Sequence, residues 1–274
     1  MKTTKEYSEK TVLVTGAARG IGLGIARRLG EEGAHVLIAD INSELGLEVI
    51  QSLRKEGISA DFIFADLSVS GGAITMVDVA AKVTGRIDVL VNNARAGRRV
   101  GLLEETEENW NLSLNVGLTA AFFASQATIR LMADCGGCQI INVGSVAAIQ
   151  VTLESPSYHA SKAGLLQLTK YLAVAGGPFH AYVNCVLPGL IVQEEHRPRF
   201  NSEGNEFYRS LAKHYQPLGE VGSEQDVAEA ILYLCSDRAR YVSGTCLTVD
   251  GGATTQEPLG LLLGMKQSKD NPIK

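Results

Sequence analysis

Thr11-Val-Leu-Val-Thr-Gly-Ala-Ala-Arg-Gly-Ile-Gly22 carries an apolar stretch straight into a turn with glycine at 16, 20 and 22. A short run of Val and Leu closed by turn residues reads as a strand buried on both faces. Gly20, Ile21 and Gly22 then open a helix. Glycines at that point let an anion reach the backbone N–H groups at the positive end of the helix.

The unit recurs outward along the chain. HVLIAD (35–40), DFIFAD (61–66), DVLVNNA (88–94), QIINVGS (139–145), YVNCVLPG (182–189) and TCLTVDGG (245–252) alternate with helical stretches such as 20–33, 43–56, 106–134 and 157–176. Strands without a polar face need cover on both sides, and the βα alternation supplies helices for it. The expectation is a doubly wound α/β fold, a mainly parallel sheet with helices on both faces.

With 274 residues, 45% hydrophobic and 20% charged, the chain can bury one sizeable core, so residues 1–274 read as a single domain. Two stretches break the alternation. Residues 190–222 are charged and irregular and follow a strand end, the place for a substrate lid. The tail, 253–274, carries the apolar Leu259-Gly-Leu-Leu-Leu-Gly-Met265, expected to pack on another subunit or to close over the site.

A net charge of −5 and a pI near 5.6 repel phosphate backbones, so no nucleic-acid partner is expected and a small molecule is. The polar N-terminus lacks a signal-peptide stretch, and no segment approaches about 18 consecutive apolar residues, which predicts a cytoplasmic protein with no membrane partner. The five cysteines fit reduced thiols. Cys135-Gly-Gly-Cys138 has neither a second CxxC nor a His pair to complete a metal site, so no metal is expected and the glycines read as a turn.

HVLIAD ends in Asp40, where a carboxylate accepts hydrogen bonds from an adenosine ribose and repels the extra phosphate of NADP. Arg19, beside the glycine turn, argues the other way, since a guanidinium pairs with a 2′-phosphate. Asp40 is given more weight: NAD is the expected cofactor and NADP the less favoured one. Asp66-Leu67, closing the third strand, is placed beside the adenine, although an Asp there also suits a helix cap.

Tyr158 and Lys162 stand four apart on one face of a helix, so the ammonium can sit near the phenol and favour its ionised form. A phenol tuned toward the working pH is a competent acid/base. Ser145, at the C-terminal end of QIINVG, is positioned to hold a carbonyl or alcohol oxygen beside it.

Together these pieces resemble the short-chain dehydrogenase/reductase family: TGAARGIG (15–22), Asp40, Asp66-Leu67, Asn92-Asn93-Ala94, Ser145, Tyr158-His-Ala-Ser-Lys162, Pro188-Gly189 and Val249-Asp-Gly-Gly252 follow its order and spacing over nearly the whole chain. The resemblance implies a Rossmann-type dinucleotide fold with Tyr158 as catalytic acid/base, Ser145 as substrate orienter, and Lys162 as both a nearby charge and a ligand of the nicotinamide ribose. It also implies that Gly16, Arg19, Gly20, Ile21, Gly22, Asp40, Asp66, Leu67, Asn93, Ala94, Pro188, Gly189 and Ile191 bind the cofactor with Tyr158 and Lys162. A homo-oligomer, dimer or tetramer, follows from the same likeness.

Three positions depart from the family pattern. Arg95 stands where Gly usually follows Asn-Asn-Ala. Gly117 stands at the usual fourth catalytic residue, an Asn, and Asn115 lies about 200° away on an α-helix. A backbone carbonyl at Gly117 is left to hold the water that the Asn side chain would otherwise place near the lysine. Gln193 replaces the Thr that commonly follows the Pro-Gly turn.

The function these pieces imply is hydride transfer between NAD(H) and a secondary alcohol or ketone, with Tyr158 moving the proton. Two alternatives remain open: a weakly catalytic or non-catalytic NAD-binding sensor or partner protein, and a redox-neutral epimerase or lyase with bound NAD. Arg95, Arg98 and Arg99, with His196, Arg197 and Arg199 in the lid, either converge on an anionic substrate or stand solvated; Phe207 and Tyr208 equally suit an apolar ring.

Overall fold

The computed structural model describes residues 5–257 and 259–261. Its frame is one parallel sheet of β1 (Thr11–Thr15), β2 (His35–Asp40), β3 (Ala60–Phe64), β4 (Val89–Asn92), β5 (Cys138–Val143), β6 (Ala181–Pro188) and β7 (Cys246–Val249), in the order 3-2-1-4-5-6-7. The chain winds outward from β1 to β3 and then returns to lay β4 on the other side of β1, in register from Val12 opposite Val89 to Val14 opposite Val91. The order reverses between β1 and β4, and a crevice opens there at the carboxyl ends of the strands.

Each face of the sheet has its own apolar layer. Val12, Val14, Val36 and Ile38 pack under α1 (Gly20–Glu31), α2 (Ser43–Lys55) and α9 (Glu224–Leu234), through Ile25, Leu29, Leu53 and Ile231. Leu13, Leu37 and Leu90 point the other way, against α3 (Gly72–Thr84), α5 (Ala120–Met132) and α6 (Pro156–Gly176), through Met76, Ala124 and Leu172. Every residue of β1 is buried, as its unbroken apolar run requires. Each fully buried Leu or Ile contributes about 1.5–3 kcal/mol, so the sheet is a rigid platform for the loops at its carboxyl edge.

Local signals set the helix starts. Asn42 accepts from Leu45 N at the head of α2, Ser155 with Pro156 starts α6, and Ser223 with Asp226 forms a capping box on α9. The 106–134 stretch folds as α4 (Glu107–Leu114) and α5 joined by a π-helical turn, Asn115–Thr119. By length and composition alone Glu107–Met132 is able to cross a membrane, but Ala120, Ala124 and Met132 within it are core residues of the sheet's second face.

The segment read as irregular is partly helical. Within 190–222 lie a short 3-10 turn (Glu194–His196), α7 (Arg197–Asn201) and α8 (Glu206–Tyr215). Their charges hid an amphipathic pattern: α8 buries Ala212 while exposing Phe207. Gln150 donates to the Tyr215 hydroxyl and Gln256 to the Tyr215 carbonyl, which fastens the end of α8 to the body. Of the apolar tail, 262–265 lies outside the described residues. The Cys135–Cys138 glycines form a turn, Gly136 and Gly137 both having positive φ, and Cys138 opens β5.

Candidate active site

The glycine turn is fixed from β4. Thr15 Oγ1 accepts from Asn93 N and Ala94 N, each at 3.0 Å. Asn93 Nδ2 in turn donates to Thr15 O at 2.9 Å and Gly16 O at 3.0 Å. The Asn93 side chain therefore holds the turn in place. Gly16 has φ +61°, and a Cβ there would lie 2.9 Å from Ala94 Cα. The turn closes only around glycine.

Asp40 sits at the edge of this turn. Its carboxylate accepts from Ala18 N at 3.1 Å and from Asn42 N at 3.0 Å, so backbone N–H groups fix its direction beside the crevice. Arg19, the N-cap residue of α1, is exposed and makes no side-chain capping bond. Asp66 accepts from Ser68 N and Ser68 Oγ, which hold its carboxyl below the usual carboxylate range. It shapes a turn two residues long and does not cap α3, whose N-cap is Gly71. Leu67 beside it borders a groove of about 220 Å³ shared with Val69, Thr119 and Phe123.

Pro188 closes β6, Gly189 N donates to Val249 O, and a Cβ on Gly189 would lie 2.6 Å from Asp250 Cβ. Ile191 makes an isolated bridge to Gly222 and packs on the first core layer. Gln193 is the unexpected neighbour: its side-chain amide lies against Gly20, where any side chain at residue 20 would collide with it. The segment after β6 thereby reaches back over the glycine turn.

Ser145, Tyr158 and Lys162 come together at the end of β5. Ser145 is the N-cap of a 3-10 turn, Val146–Ala148, and Ala147 N donates to its Oγ at 3.1 Å. Its hydroxyl stands on the Tyr158 side and favours the ionised form of the phenol. Lys162 is 3% exposed and donates to Val143 O at 2.7 Å, with Nζ 5.6 Å from the Tyr158 ring centre. Burial drives its pKa down to about 8.

Burial raises the Tyr158 phenol above its ordinary value; the Ser145 hydroxyl and the Arg95 charge pull against that. Lys162, itself penalised by burial, directs its ammonium at Val143 O within reach of the same ring. The second cation on the tyrosine is Arg95, whose Cζ lies 5.5 Å from the ring centre. The residue that replaces the usual glycine thus turns toward Tyr158.

Gly117 occupies the middle of the π turn, and a Cβ there would collide with Ser161 Oγ. Its backbone borders a cavity of about 10 Å³ together with Thr15, Asn92, Ala94 and Val116, close to the size of a single water. Neither Tyr158 nor Lys162 lines it. Asn115 is exposed and borders the Leu67 groove.

Behind the site runs a buried amide chain that sequence reasoning passed over. Asn92 donates to Asn142 Oδ1 at 2.9 Å and to Ser125 Oγ at 3.1 Å; Asn142 donates to Thr169 Oγ1 at 2.9 Å. It ties β4, β5, α5 and α6 together below Ser145 and Tyr158 and fixes their separation. The only sequence signal was an Asn inside each of two apolar strands.

A family model described as enoyl-(acyl carrier protein) reductase matches residues 16–254. The chain belongs to the short-chain dehydrogenase/reductase family. It is 34% identical to the 3-oxoacyl-acyl-carrier-protein reductase FabG of Chlamydia trachomatis, over 89% of this chain and 96% of that one. It is 32% identical to the 7alpha-hydroxysteroid dehydrogenase of Bacteroides fragilis, over 92% and 97%. The solved L-sorbose reductase from Gluconobacter frateurii, complexed with NADPH and L-sorbose, superposes with a TM-score of 0.85 at 28% identity, over 93% of this chain and all of that one. As a short-chain dehydrogenase/reductase this protein is an oxidoreductase of alcohols and ketones that works with a nicotinamide cofactor.

Proposed function

We propose that the protein moves a hydride between NAD(H) and a secondary alcohol or ketone of a small molecule, with Tyr158 as the acid/base. The observation that carries this is the gathering of Ser145, Tyr158 and buried Lys162 at the same sheet edge as the glycine turn. The turn suits a dinucleotide diphosphate: glycine at 20 and 22 keeps the head of α1 free of bulky side chains of its own, and the Gln193 amide lies against Gly20. Asp40 supports NAD over NADP, because its fixed carboxylate suits a ribose diol and repels a 2′-phosphate.

When bound, the nicotinamide supplies the hydride acceptor or donor at C4. The protein's own groups do the rest. Ser145 Oγ holds the substrate oxygen, Tyr158 Oη accepts its proton on oxidation or returns it on reduction, and Lys162 is directed by Val143 O beneath the ring. Because burial holds the phenol high, its ionised form grows with pH; oxidation therefore quickens toward alkaline pH and reduction slows. Exposed Phe123, Tyr171 and Val174 on α5 and α6 support a homo-oligomer, which sedimentation velocity tests.

The test is absorbance of the reduced cofactor with NAD or NADP and a panel of secondary alcohols, beside Tyr158→Phe. A signal with NAD that falls by roughly 10²–10⁴ in the variant is expected. An equal signal in the variant refutes the role of Tyr158. NAD binding without reduction of cofactor across the panel moves the assignment to a binding protein, and isomerised product with cofactor retained moves it to a redox-neutral enzyme.

A further inference from the structure

We propose that Arg95 and Arg99 form a carboxylate-binding subsite at the mouth of the catalytic crevice, so that the substrate is a hydroxy or oxo acid. This rests on the oxidoreductase function above and names its substrate class. Arg95 lies over the Tyr158 ring, 5.5 Å from its centre, and therefore beside the reacting oxygen. Its guanidinium and that of Arg99 converge on one carboxylate, Glu154, at 3.7 Å and 3.8 Å. These are loose ion pairs around a single oxygen-bearing group, and the side chains of Arg95 and Arg99 remain 60% and 57% exposed. Glu154 marks where a carboxylate fits and neutralises only one of the two charges.

The loop that carries them is built. Asn109, 5% exposed, accepts from Arg98 N at 2.6 Å and donates to Arg98 O at 3.2 Å, pinning the backbone beside Arg99. Arg99 Nε also donates to Leu153 O, which brings it to the segment holding Glu154. Of the lid cations, His196 pairs with Glu195 in its own turn, and among the described residues neither Arg197 nor Arg199 pairs with Glu154. The subsite is therefore assigned to the Arg95–Arg99 loop.

Arginine labelling with phenylglyoxal, read residue by residue by mass spectrometry, tests the subsite without knowledge of the substrate. Arg238 is the internal control, being 65% exposed and paired with Glu6 at 3.9 Å. Tartrate at millimolar concentration is expected to slow labelling of Arg95 and Arg99 at least fivefold and that of Arg238 less than twofold, while glycerol protects none. Glu154→Gln, which removes the internal competitor, is expected to lower the tartrate concentration for half protection. Equal protection at Arg238, or none at Arg95 and Arg99, overturns the subsite. A second arm compares hydroxy acids with their methyl esters: the acid-to-ester ratio of kcat/KM is expected to fall at least tenfold in Arg99→Gln. Loss of turnover on both members in Tyr158→Phe, with the ratio unchanged in Arg99→Gln, leaves the oxidoreductase function standing and the subsite refuted.

Discussion

Lys162 sits in the core at 3% exposure, donates to Val143 O, and has its pKa moved from 10.5 to about 8 by burial. An unfolded chain holds its lysines near 10.4. Below pH 8 the amine is protonated in both states and the fold carries the whole penalty, roughly 3 kcal/mol at about 1.4 kcal/mol per pH unit. Between pH 8 and about 10.5 the unfolded chain binds more protons than the native one, so this group makes stability rise with pH across that window. Lys162→Met keeps the apolar stem and removes the charge, at the expense of a donor to Val143 O worth about 1 kcal/mol. The variant is therefore expected to be inactive and about 2 kcal/mol more stable at pH 7, with the gain gone by pH 10.5. Urea unfolding of both proteins at pH 7 and pH 10.5 measures this. A variant less stable at pH 7, or a gain equal at both pH values, refutes the reasoning.

Three further outcomes follow from individual contacts. Thr15→Val leaves Asn93 N and Ala94 N without their acceptor in a buried turn, which costs about 1–3 kcal/mol each, and Thr15→Ser restores most of it; a urea-unfolding loss under about 0.5 kcal/mol removes the hydroxyl from the account. Gly117→Ala meets Ser161 Oγ, so a double-mutant cycle with Ser161→Gly is expected to show coupling of about 1 kcal/mol, whereas additive values mean the contact is not what excludes a side chain at residue 117. The Cys246 thiol is pulled below its ordinary value by Cys185, its registered neighbour across β6 and β7; the pH midpoint of iodoacetamide labelling of Cys246 is then expected to move up in Cys185→Ala, and an unmoved midpoint denies the pairing.

What the sequence made legible was local or periodic. The strand–turn–helix of 11–22, the buried strands, the Asp at the end of β2 and the Tyr–Lys spacing on one helix each rest on residues a few positions apart, where backbone geometry leaves little choice. The unforeseen parts join residues far apart in the chain. Thr15 and Asn93 are 78 residues apart, and Asn92 and Asn142 are 50 apart; no periodicity announces either bond. The π turn at Asn115–Thr119 escaped for another reason: a helical wheel assumes 100° per residue, and the inserted residue breaks that step just where Gly117 departs from the family.

Arg95 shows the boundary most sharply. Its departure from the usual glycine was visible in the sequence, but whether a flexible side chain in an exposed loop turns to solvent or to Tyr158 depends on the packing of Asn109 and Glu154, 14 and 59 residues away. The direction it takes bears on Tyr158 itself: the Arg95 charge lies over the ring and opposes the effect of burial on the phenol. Substrate recognition and tuning of the phenol are then two effects of one guanidinium. Arg95→Gly is accordingly expected to shift the pH profile of oxidation toward higher pH for acid and ester alike, while Arg99→Gln changes the acid-to-ester ratio and leaves the profile in place; identical profiles in Arg95→Gly and the parent protein would show that Arg95 acts on the substrate alone.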